Sequence, residues 1–237
     1  MIAVDDLTFA YGAKSRNVLE HLDLTLEQNR IYGLLGKNGA GKSTLLHLMA
    51  GLLKPTEGRV AYNGVATCMR QHDVLGDMFL LSDESSLPGV TMERFVHMYA
   101  PFYPKFDHEV LRQCMADFSI ADDVQLNSLS LGERKKAYIC FAIATHAGLL
   151  LMDEPTNGLD IPSKSIFRKM IARHMQEGQT VVISTHQVHD VSSLFDEVLV
   201  LQDDGKLVSR KLDDVAATTE NIEEMFVELT KEEKEAE

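Results

Sequence analysis

The stretch that decides the fold is Gly36-Lys37-Asn38-Gly39-Ala40-Gly41-Lys42-Ser43-Thr44. Its two glycines, lysine and hydroxyl have the spacing of a phosphate-binding loop. The apolar run 31–35 before it predicts a strand, and the apolar spacing from Leu45 onward predicts a helix that Gly51 can end. A strand, a glycine-rich loop and a helix in this order predict a site for a nucleoside triphosphate.

Each residue type in this loop has a chemical task. The glycines let backbone N–H groups surround the β-phosphate, and the helix N-terminus adds partial positive charge. Lys42 is expected to neutralise β- and γ-phosphate oxygens, and Ser43 is expected to ligate Mg²⁺. The alternative is a glycine-rich turn before an ordinary core helix. The complete motif in its strand–loop–helix context argues against that alternative.

Composition limits the classes of function. The chain has 237 residues, enough for one sizeable α/β domain with an inserted subdomain. Its net charge of -13 argues against a large nucleic-acid footprint and against direct binding to an anionic membrane. Cys68, Cys114 and Cys140 lack the paired spacing of a zinc site, which predicts reduced, buried thiols in a cytosolic protein.

No segment of the sequence has the pattern of a membrane signal. The N-terminus lacks a basic region followed by an apolar run, so we do not expect a signal peptide. No apolar run approaches the roughly 20 residues that a membrane-spanning helix needs. Any work at a membrane is therefore expected to proceed through a partner.

The first half of the chain predicts an antiparallel sheet and a helical insertion. Residues 1–35 alternate apolar and polar positions in short runs, and Asn63-Gly64 suits a tight hairpin turn. Tyr11 follows the short run 7–9. It is either an aromatic side chain that stacks on a purine ring or a packing residue near a turn. Residues 91–127 show helical periodicity interrupted by prolines.

The second half predicts two strands that end in polar side chains. Residues 149–152 form a continuous apolar run, typical of a strand buried on both faces of a parallel sheet, and Asp153 and Glu154 follow. His186 follows the apolar strand 179–185 in the same way. Because α/β sheets bind ligands at the carboxyl ends of their strands, these three side chains are candidate site residues.

Two remaining segments have local interpretations. Ser130 and Glu133 have the spacing of a capping box, which alone would explain both residues. A hairpin is predicted across Asp203 and Asp204, and apolar residues in 222–229 share one face of a predicted C-terminal helix.

The combination of Leu129-Ser130-Leu131-Gly132-Glu133 with a later strand that ends in Asp153-Glu154-Pro155-Thr156 resembles the signature motif and Walker B motif of ABC ATPases. The resemblance covers nearly the whole chain, and the C-terminal segment resembles that of bacitracin-exporter-type bacterial ATP-binding subunits. It implies an α/β fold with a P-loop NTPase (RecA-like) core, an N-terminal antiparallel β subdomain and an inserted helical subdomain. The implied boundaries are 1–84 and 131–237 for the core, 85–130 for the helical subdomain and 214–237 for the C-terminal helix and tail.

The resemblance implies a role for each residue that matches a motif. Tyr11 would stack on the adenine, and Gly36 to Thr44 would form the Walker A loop. Asp153 would hold Mg²⁺ through its water shell, while Glu154 would orient or deprotonate the attacking water. His186 would contact the γ-phosphate and report its loss.

The same resemblance implies a head-to-tail pair of subunits. The signature residues Ser130, Leu131, Gly132 and Glu133 would close the nucleotide site of the opposite subunit, and Asp160 of the D-loop would contact that subunit. A second anion site at the start of the signature helix supports this arrangement, because one chain needs only one such site for its γ-phosphate.

Three positions depart from the family pattern. Leu131 replaces the first glycine of the usual signature and Glu133 replaces its glutamine, whereas Gly132, where backbone must approach phosphate most closely, is kept. Asp83 best matches the Q-loop position, where the family usually has a glutamine that touches Mg²⁺ and the transmembrane partner. Aspartate keeps an oxygen for the metal but lacks the amide donor, so we expect contact with the permease to use different chemistry.

These motifs favour the ATP-hydrolysing subunit of an ABC transporter, with ATP and Mg²⁺ as cofactors. The expected partners are a second ABC ATPase subunit, identical or different, and an integral membrane permease. Through this permease the cytoplasmic subunit is expected to lie on the inner face of the cell membrane. No nucleic-acid partner is expected. The alternative is a soluble ABC-type regulator or mechanical switch without a permease, but long coiled-coil insertions and a duplicated domain are absent. A GTPase is disfavoured because no Asn-Lys-x-Asp motif occurs.

Overall fold

Two β-sheets carry the fold, and a computed structural model describes them within residues 1–12, 14–83, 88–121, 123–187, 189, 192–212, 222 and 224. In chain order the strands and helices are β1 (Ile2–Phe9), β2 (Leu19–Leu26), β3 (Arg30–Leu35), α1 (Lys42–Met49), β4 (Glu57–Tyr62), β5 (Val65–Ala66), α2 (His72–Gly76), β6 (Met78–Leu81), α3 (Met92–Tyr99), α4 (His108–Asp117), α5 (Leu131–Ala144), β7 (Leu149–Asp153), α6 (Ile161–His174), β8 (Thr180–Thr185), β9 (Glu197–Leu201) and β10 (Leu207–Lys211). Short 3-10 turns lie at Thr67–Met69, Ala100–Phe102, Leu126–Ser128 and Ser192–Leu194.

The first sheet is antiparallel, with the order β2-β1-β4-β5. As predicted, Asn63 and Gly64 form the two-residue turn between β4 and β5, with φ angles of 49° and 83°. The short apolar runs 2–4 and 7–9 predicted separate strands, but the structure has one strand, β1, with a shift of register near Asp6. At this irregularity a Cβ on Gly58 would lie 2.1 Å from the Asp6 carbonyl oxygen, so only glycine allows the approach.

The second sheet is parallel except at one edge, with the order β10-β9-β3-β8-β7-β6. Strand β3 pairs with β8 so that Leu35 lies opposite Thr185, and β8 pairs with β7 so that Ser184 lies opposite Asp153. The carboxyl ends of β3, β8 and β7 therefore meet at one edge of the sheet. The predicted hairpin across Asp203 and Asp204 is present as β9 and β10.

The central strands are buried on both faces, as their continuous apolar runs predicted. Leu149 and Leu151 belong to an apolar cluster that includes α1 and the first sheet. Leu150 and Met152 belong to a second cluster that includes α5 and α6. Helix α1, directly after the phosphate-binding loop, is thus fixed by packing against both sheets, and so is the position of its N-terminus.

The predicted helical insertion consists of α3 and α4. Helix α4 packs on α5, and α3 contacts α5 through Phe95 and Phe141. Both helices begin at capping side chains: Thr91 accepts a hydrogen bond from the Arg94 amide, and Asp107 accepts from two amides of its first turn. Aromatic rings join the insertion to the core, with Phe141 centred 4.9 Å from Phe95 and 5.9 Å from Phe79. These contacts fix the signature helix against strand β6.

Three further outcomes concern the sequence predictions. Burial raises the pKa of Cys114 to about 12, and Cys140 is also buried. The prediction of a buried thiol is wrong for Cys68, which is exposed because it lies in a short surface turn. The predicted C-terminal helix lies outside the described residues, except for Ile222 and Glu224. Among the described residues, no helix combines the length and apolar character that crossing a bilayer requires.

Candidate active site

The phosphate-binding loop connects β3 to α1 in the predicted order. Gly39 and Gly41 have φ angles of 88° and 104°, a region that glycine adopts without strain. A Cβ on Gly41 would also lie 2.9 Å from Val18 Cγ1, so this position excludes other side chains on two grounds. Lys37, at the start of the loop, donates to Asp203 Oδ2 over 2.6 Å and ties the loop to the closing hairpin.

Lys42 is the buried cation of the site, with its side chain only 6% exposed. Its Nζ donates to the carbonyl oxygens of Gly36 and Lys37 over 2.8 and 3.1 Å, and lies 3.6 Å from Glu154 Oε1. A buried ammonium needs such acceptors to offset its lost hydration. The same three donor protons are suited to phosphate oxygens.

Asp153 lies at the end of β7 and is almost fully buried. Its Oδ1 accepts a hydrogen bond of 2.5 Å from the hydroxyl of Ser184, which the parallel register places opposite. Ser43, at the loop, is exposed. Carboxylate and hydroxyl oxygens are the ligands that Mg²⁺ prefers, so Ser43 and Asp153 fit the predicted ion.

Glu154 and His186 are in direct contact. Glu154 Oε1 lies 2.9 Å from His186 Nδ1, and the glutamate side chain is 13% exposed. The backbone of Glu154 is in the left-handed region, with φ of 46°, and its amide donates to the Ser184 hydroxyl over 3.0 Å. The structure therefore brings Lys42, Asp153, Glu154 and His186 together at the carboxyl edge of the sheet.

Tyr11 lies beside the loop with its side chain free to meet a ligand. The residue is 64% exposed, and its ring packs edge-on against Phe9 with centroids 5.0 Å apart. Its hydroxyl lies 2.9 Å from Thr44 Oγ1, which anchors it to α1. One edge of the ring packs, and the rest of the ring is exposed, so stacking on a purine stays a prediction.

The signature residues begin α5 and form the predicted capping box. The Ser130 amide and hydroxyl donate to Glu133 Oε2 over 2.9 and 2.6 Å, and the Glu133 amide donates to Ser130 Oγ. The hydroxyl hydrogen bond from Ser130 holds the pKa of Glu133 below its usual range. In its present conformation the Ser130 hydroxyl is therefore engaged within its own helix turn.

The signature residues lie beside the D-loop. Leu131 and Gly132 border a cleft of about 570 Å³ together with Asp83 and the D-loop residues Asn157 and Gly158. Asp160 caps α6 by accepting from the Ser163 amide over 2.8 Å, and hydrogen bonds from Ser163 hold its pKa below the usual range. The signature and the D-loop thus share one surface.

Asp83 has a cationic partner within the chain. Its Oδ1 accepts a hydrogen bond of 2.7 Å from Lys135 Nζ on α5, and the same nitrogen donates to the Glu154 carbonyl oxygen over 2.6 Å. The sequence predicted that Asp83 contacts the permease by chemistry other than that of an amide, and the structure shows that Asp83 has a basic partner on α5 of its own chain. In the described part of the chain, no group of three or more His, Cys, Asp or Glu side chains could hold a metal ion by itself.

The sequence profile of the ABC transporter family matches residues 19–157. The chain belongs to this family, as an ATP-binding subunit. It is 30% identical over 221 residues to the ABC transporter ATP-binding protein NatA of Bacillus subtilis, with 89% of each chain covered. The resemblance to a bacterial ATP-binding subunit is confirmed.

Two solved structures show the same fold. One is an ATP-binding subunit of an ABC transporter, with a TM-score of 0.84, 23% identity, and coverage of 97% of this chain and 99% of that chain. The other is a dimeric bacterial ABC transporter cassette, with a TM-score of 0.76, 22% identity, and coverage of 90% and 99%. The predicted P-loop NTPase core with its antiparallel sheet is confirmed, and this ABC subunit is an ATPase.

Sequence reasoning missed two residues of the site. Ser184 binds both Asp153 and the Glu154 amide, and the only signal was a small polar residue inside an apolar strand. Lys135 joins Asp83 to Glu154, and its signal was a lysine one turn into a helix whose later positions are mostly apolar. Neither residue stands at a recognised motif position.

We predict that Lys42→Ala weakens ATP binding by about a hundredfold or more, because several charge-assisted hydrogen bonds to phosphate would be lost. Isothermal titration calorimetry measures the dissociation constant. Lys54→Ala, which removes the same charge beyond the far end of α1, is the matched control and should bind like the parent. Equal affinities in all three proteins would contradict the assignment of the loop.

We predict that Glu154→Gln retains ATP binding while hydrolysis falls by about a hundredfold or more, as expected when a positioned carboxylate is lost. Phosphate release under saturating ATP measures the rate. Glu177→Gln makes the same chemical change in the turn before β8, at the opposite edge of the sheet, and should hydrolyse at the parental rate. Parental turnover by Glu154→Gln would assign the chemistry to another residue.

Proposed function

We propose that this chain is the ATP-hydrolysing subunit that powers a bacterial ABC transporter. It would work as a head-to-tail dimer that docks on a separate membrane permease. The observation that carries the proposal is the contact of Lys42, Glu154 and His186 at the carboxyl edge of the parallel sheet. A buried cation, a carboxylate and an imidazole within 4 Å are the groups that phosphoryl transfer to water needs.

The chain's own residues divide the reaction between them. Lys42 would bind β- and γ-phosphate oxygens, and Glu154 would orient or deprotonate the attacking water. His186, held through Nδ1 by Glu154, would contact the γ-phosphate. Mg²⁺, held by Ser43, Asp153 and Asp83 directly or through water, would balance the charge that develops on the phosphates.

The surface that the signature shares with the D-loop supports a dimer. Leu131, within the signature, is 76% exposed. Ile161, directly after the D-loop, is 82% exposed. Covering these side chains would remove apolar surface from water, which favours association. A second copy, placed head to tail, would cover them and present the N-terminus of α5 to the partner's nucleotide.

We predict that Lys42→Ala and Ser130→Arg are each nearly inactive alone and regain ATPase activity when mixed. In the mixed dimer one site carries both defects, while the other combines an intact phosphate-binding loop with an intact signature. Phosphate release by the mixture, compared with each variant at the same total concentration, is the measurement. Normal hydrolysis by Ser130→Arg alone would show that Ser130 is only a helix cap.

A cleft beside Asp83 supports docking on a permease. It has a volume of about 500 Å³ and is bordered by Leu52 and Phe102, which are 55% and 60% exposed, and by Arg70 and His72. Apolar walls with basic groups at the rim suit an apolar segment that carries an acidic residue or a helix C-terminus. We assign this cleft to a cytoplasmic segment of the permease, which would place the subunit at the inner face of the membrane.

We predict that Phe102→Asp lowers recovery of a multi-span membrane protein with the affinity-tagged chain at least tenfold, since a charge would enter the apolar wall. Detergent extracts of native membranes and mass spectrometry provide the measurement. Met98→Asp, an equal change on the exposed side of α3, is the control. If the parent recovers no multi-span protein at all, the soluble regulator replaces the transporter as the function.

A further inference from the structure

Lys135 connects three segments through one ammonium group. It lies one turn into the signature helix α5 with its side chain 14% exposed. Its Nζ donates to Asp83 Oδ1 over 2.7 Å, just after β6, and to the Glu154 carbonyl oxygen over 2.6 Å, just after β7. The helix that carries the signature is thus joined to the backbone of the catalytic glutamate of its own chain.

The backbone of Glu154 needs such support. Its φ of 46° lies in the left-handed region, which residues other than glycine adopt at a cost in free energy. Its amide is held by Ser184 and its carbonyl oxygen by Lys135. With both ends of the residue fixed, the side chain is directed to within 2.9 Å of His186 Nδ1.

Asp83 has a charged carboxylate at the Q-loop position, where the family usually has the neutral amide of a glutamine. The group is 41% exposed and lies on the same cleft as the signature residues Leu131 and Gly132. A lone carboxylate there would repel a triphosphate. The ammonium of Lys135, in charge-assisted contact with Asp83, offsets that charge and fixes its direction.

We propose that Lys135 is a positioning residue for ATP hydrolysis: it holds the Glu154 backbone and the Asp83 carboxylate together, so that the glutamate is aligned only while the signature helix lies against the core. It touches no substrate atom and acts through its two acceptors. The proposal rests on the assignment of Glu154 as the catalytic carboxylate.

The first test is steady-state ATPase kinetics of the purified chain with Lys135→Met, which keeps the length of the side chain and removes its charge and donors. We expect kcat to fall at least tenfold while KM for ATP changes less than twofold. Lys135→Arg, which keeps a cationic donor, should recover at least a third of the parental kcat. A parental kcat for Lys135→Met, or a loss confined to KM, would overturn the proposal.

A matched control separates this role from general support of the fold. The Arg173–Asp117 pair, at 3.1 Å, is another contact between a cation and a carboxylate on different elements, here α6 and α4. Arg173→Met should therefore hydrolyse ATP at the parental rate. An equal fall in kcat for Arg173→Met and Lys135→Met would show a merely structural effect and refute the proposal.

The second test is a double-mutant cycle with Asp83→Ala, repeated with Lys135→Gln so that it stands even if Lys135→Met folds poorly. Because the two residues share one contact, the double variant should lose less activity than the product of the two single losses. If the loss of activity in the double variant equals the product of the two single losses, the proposed coupling of Lys135 and Asp83 is contradicted. Parental turnover by Glu154→Gln would remove the catalytic assignment itself, whereas an inactive Glu154→Gln beside a fully active Lys135→Met would refute this inference alone.

Discussion

The site depends on the parallel pairing of three neighbouring strands. Strands β3, β8 and β7 run in the same direction and in one register, so that Leu35 lies opposite Thr185, and Ser184 lies opposite Asp153. The chain leaves all three strands at the same edge of the sheet. A shift of one residue in this pairing would turn the buried polar side chains to the other face and separate them.

The buried charge of Lys42 and the shape of its loop require each other. A buried ammonium costs several kcal/mol in lost hydration unless acceptors surround it. Here the acceptors are two loop carbonyl oxygens and the Glu154 carboxylate. The positive φ angles at Gly39 and Gly41 belong to the turn that presents these groups, so the glycines and the lysine act as one unit.

Local rules predicted the elements whose causes are local. The phosphate-binding loop, the Asn63-Gly64 turn and the buried run before Asp153 follow from spacing, turn chemistry and apolar continuity. The link from Lys135 to Asp83 crosses 52 positions of sequence, and no periodicity specifies it. Ser184 was missed for the same reason, because only the register between β7 and β8 makes a serine within a strand a partner of Asp153.

Two acidic residues, Asp83 and Glu133, depart from the family pattern, and each is held by a neighbouring side chain. A partly exposed ion pair contributes about 0–1 kcal/mol to stability, so the contact between Asp83 and Lys135 matters little for folding. This contact instead offsets the charge of the Asp83 carboxylate and fixes its position. A triphosphate is strongly anionic, and Asp83 brings a carboxylate to the cleft beside the signature, where the family has a neutral amide. Lys135 lies beside Asp83. The Ser130 hydroxyl donates a hydrogen bond to the Glu133 carboxylate in a capping box. Lys135 thus offsets the charge of Asp83, whereas hydrogen bonds from Ser130 hold the Glu133 carboxylate at the first turn of α5.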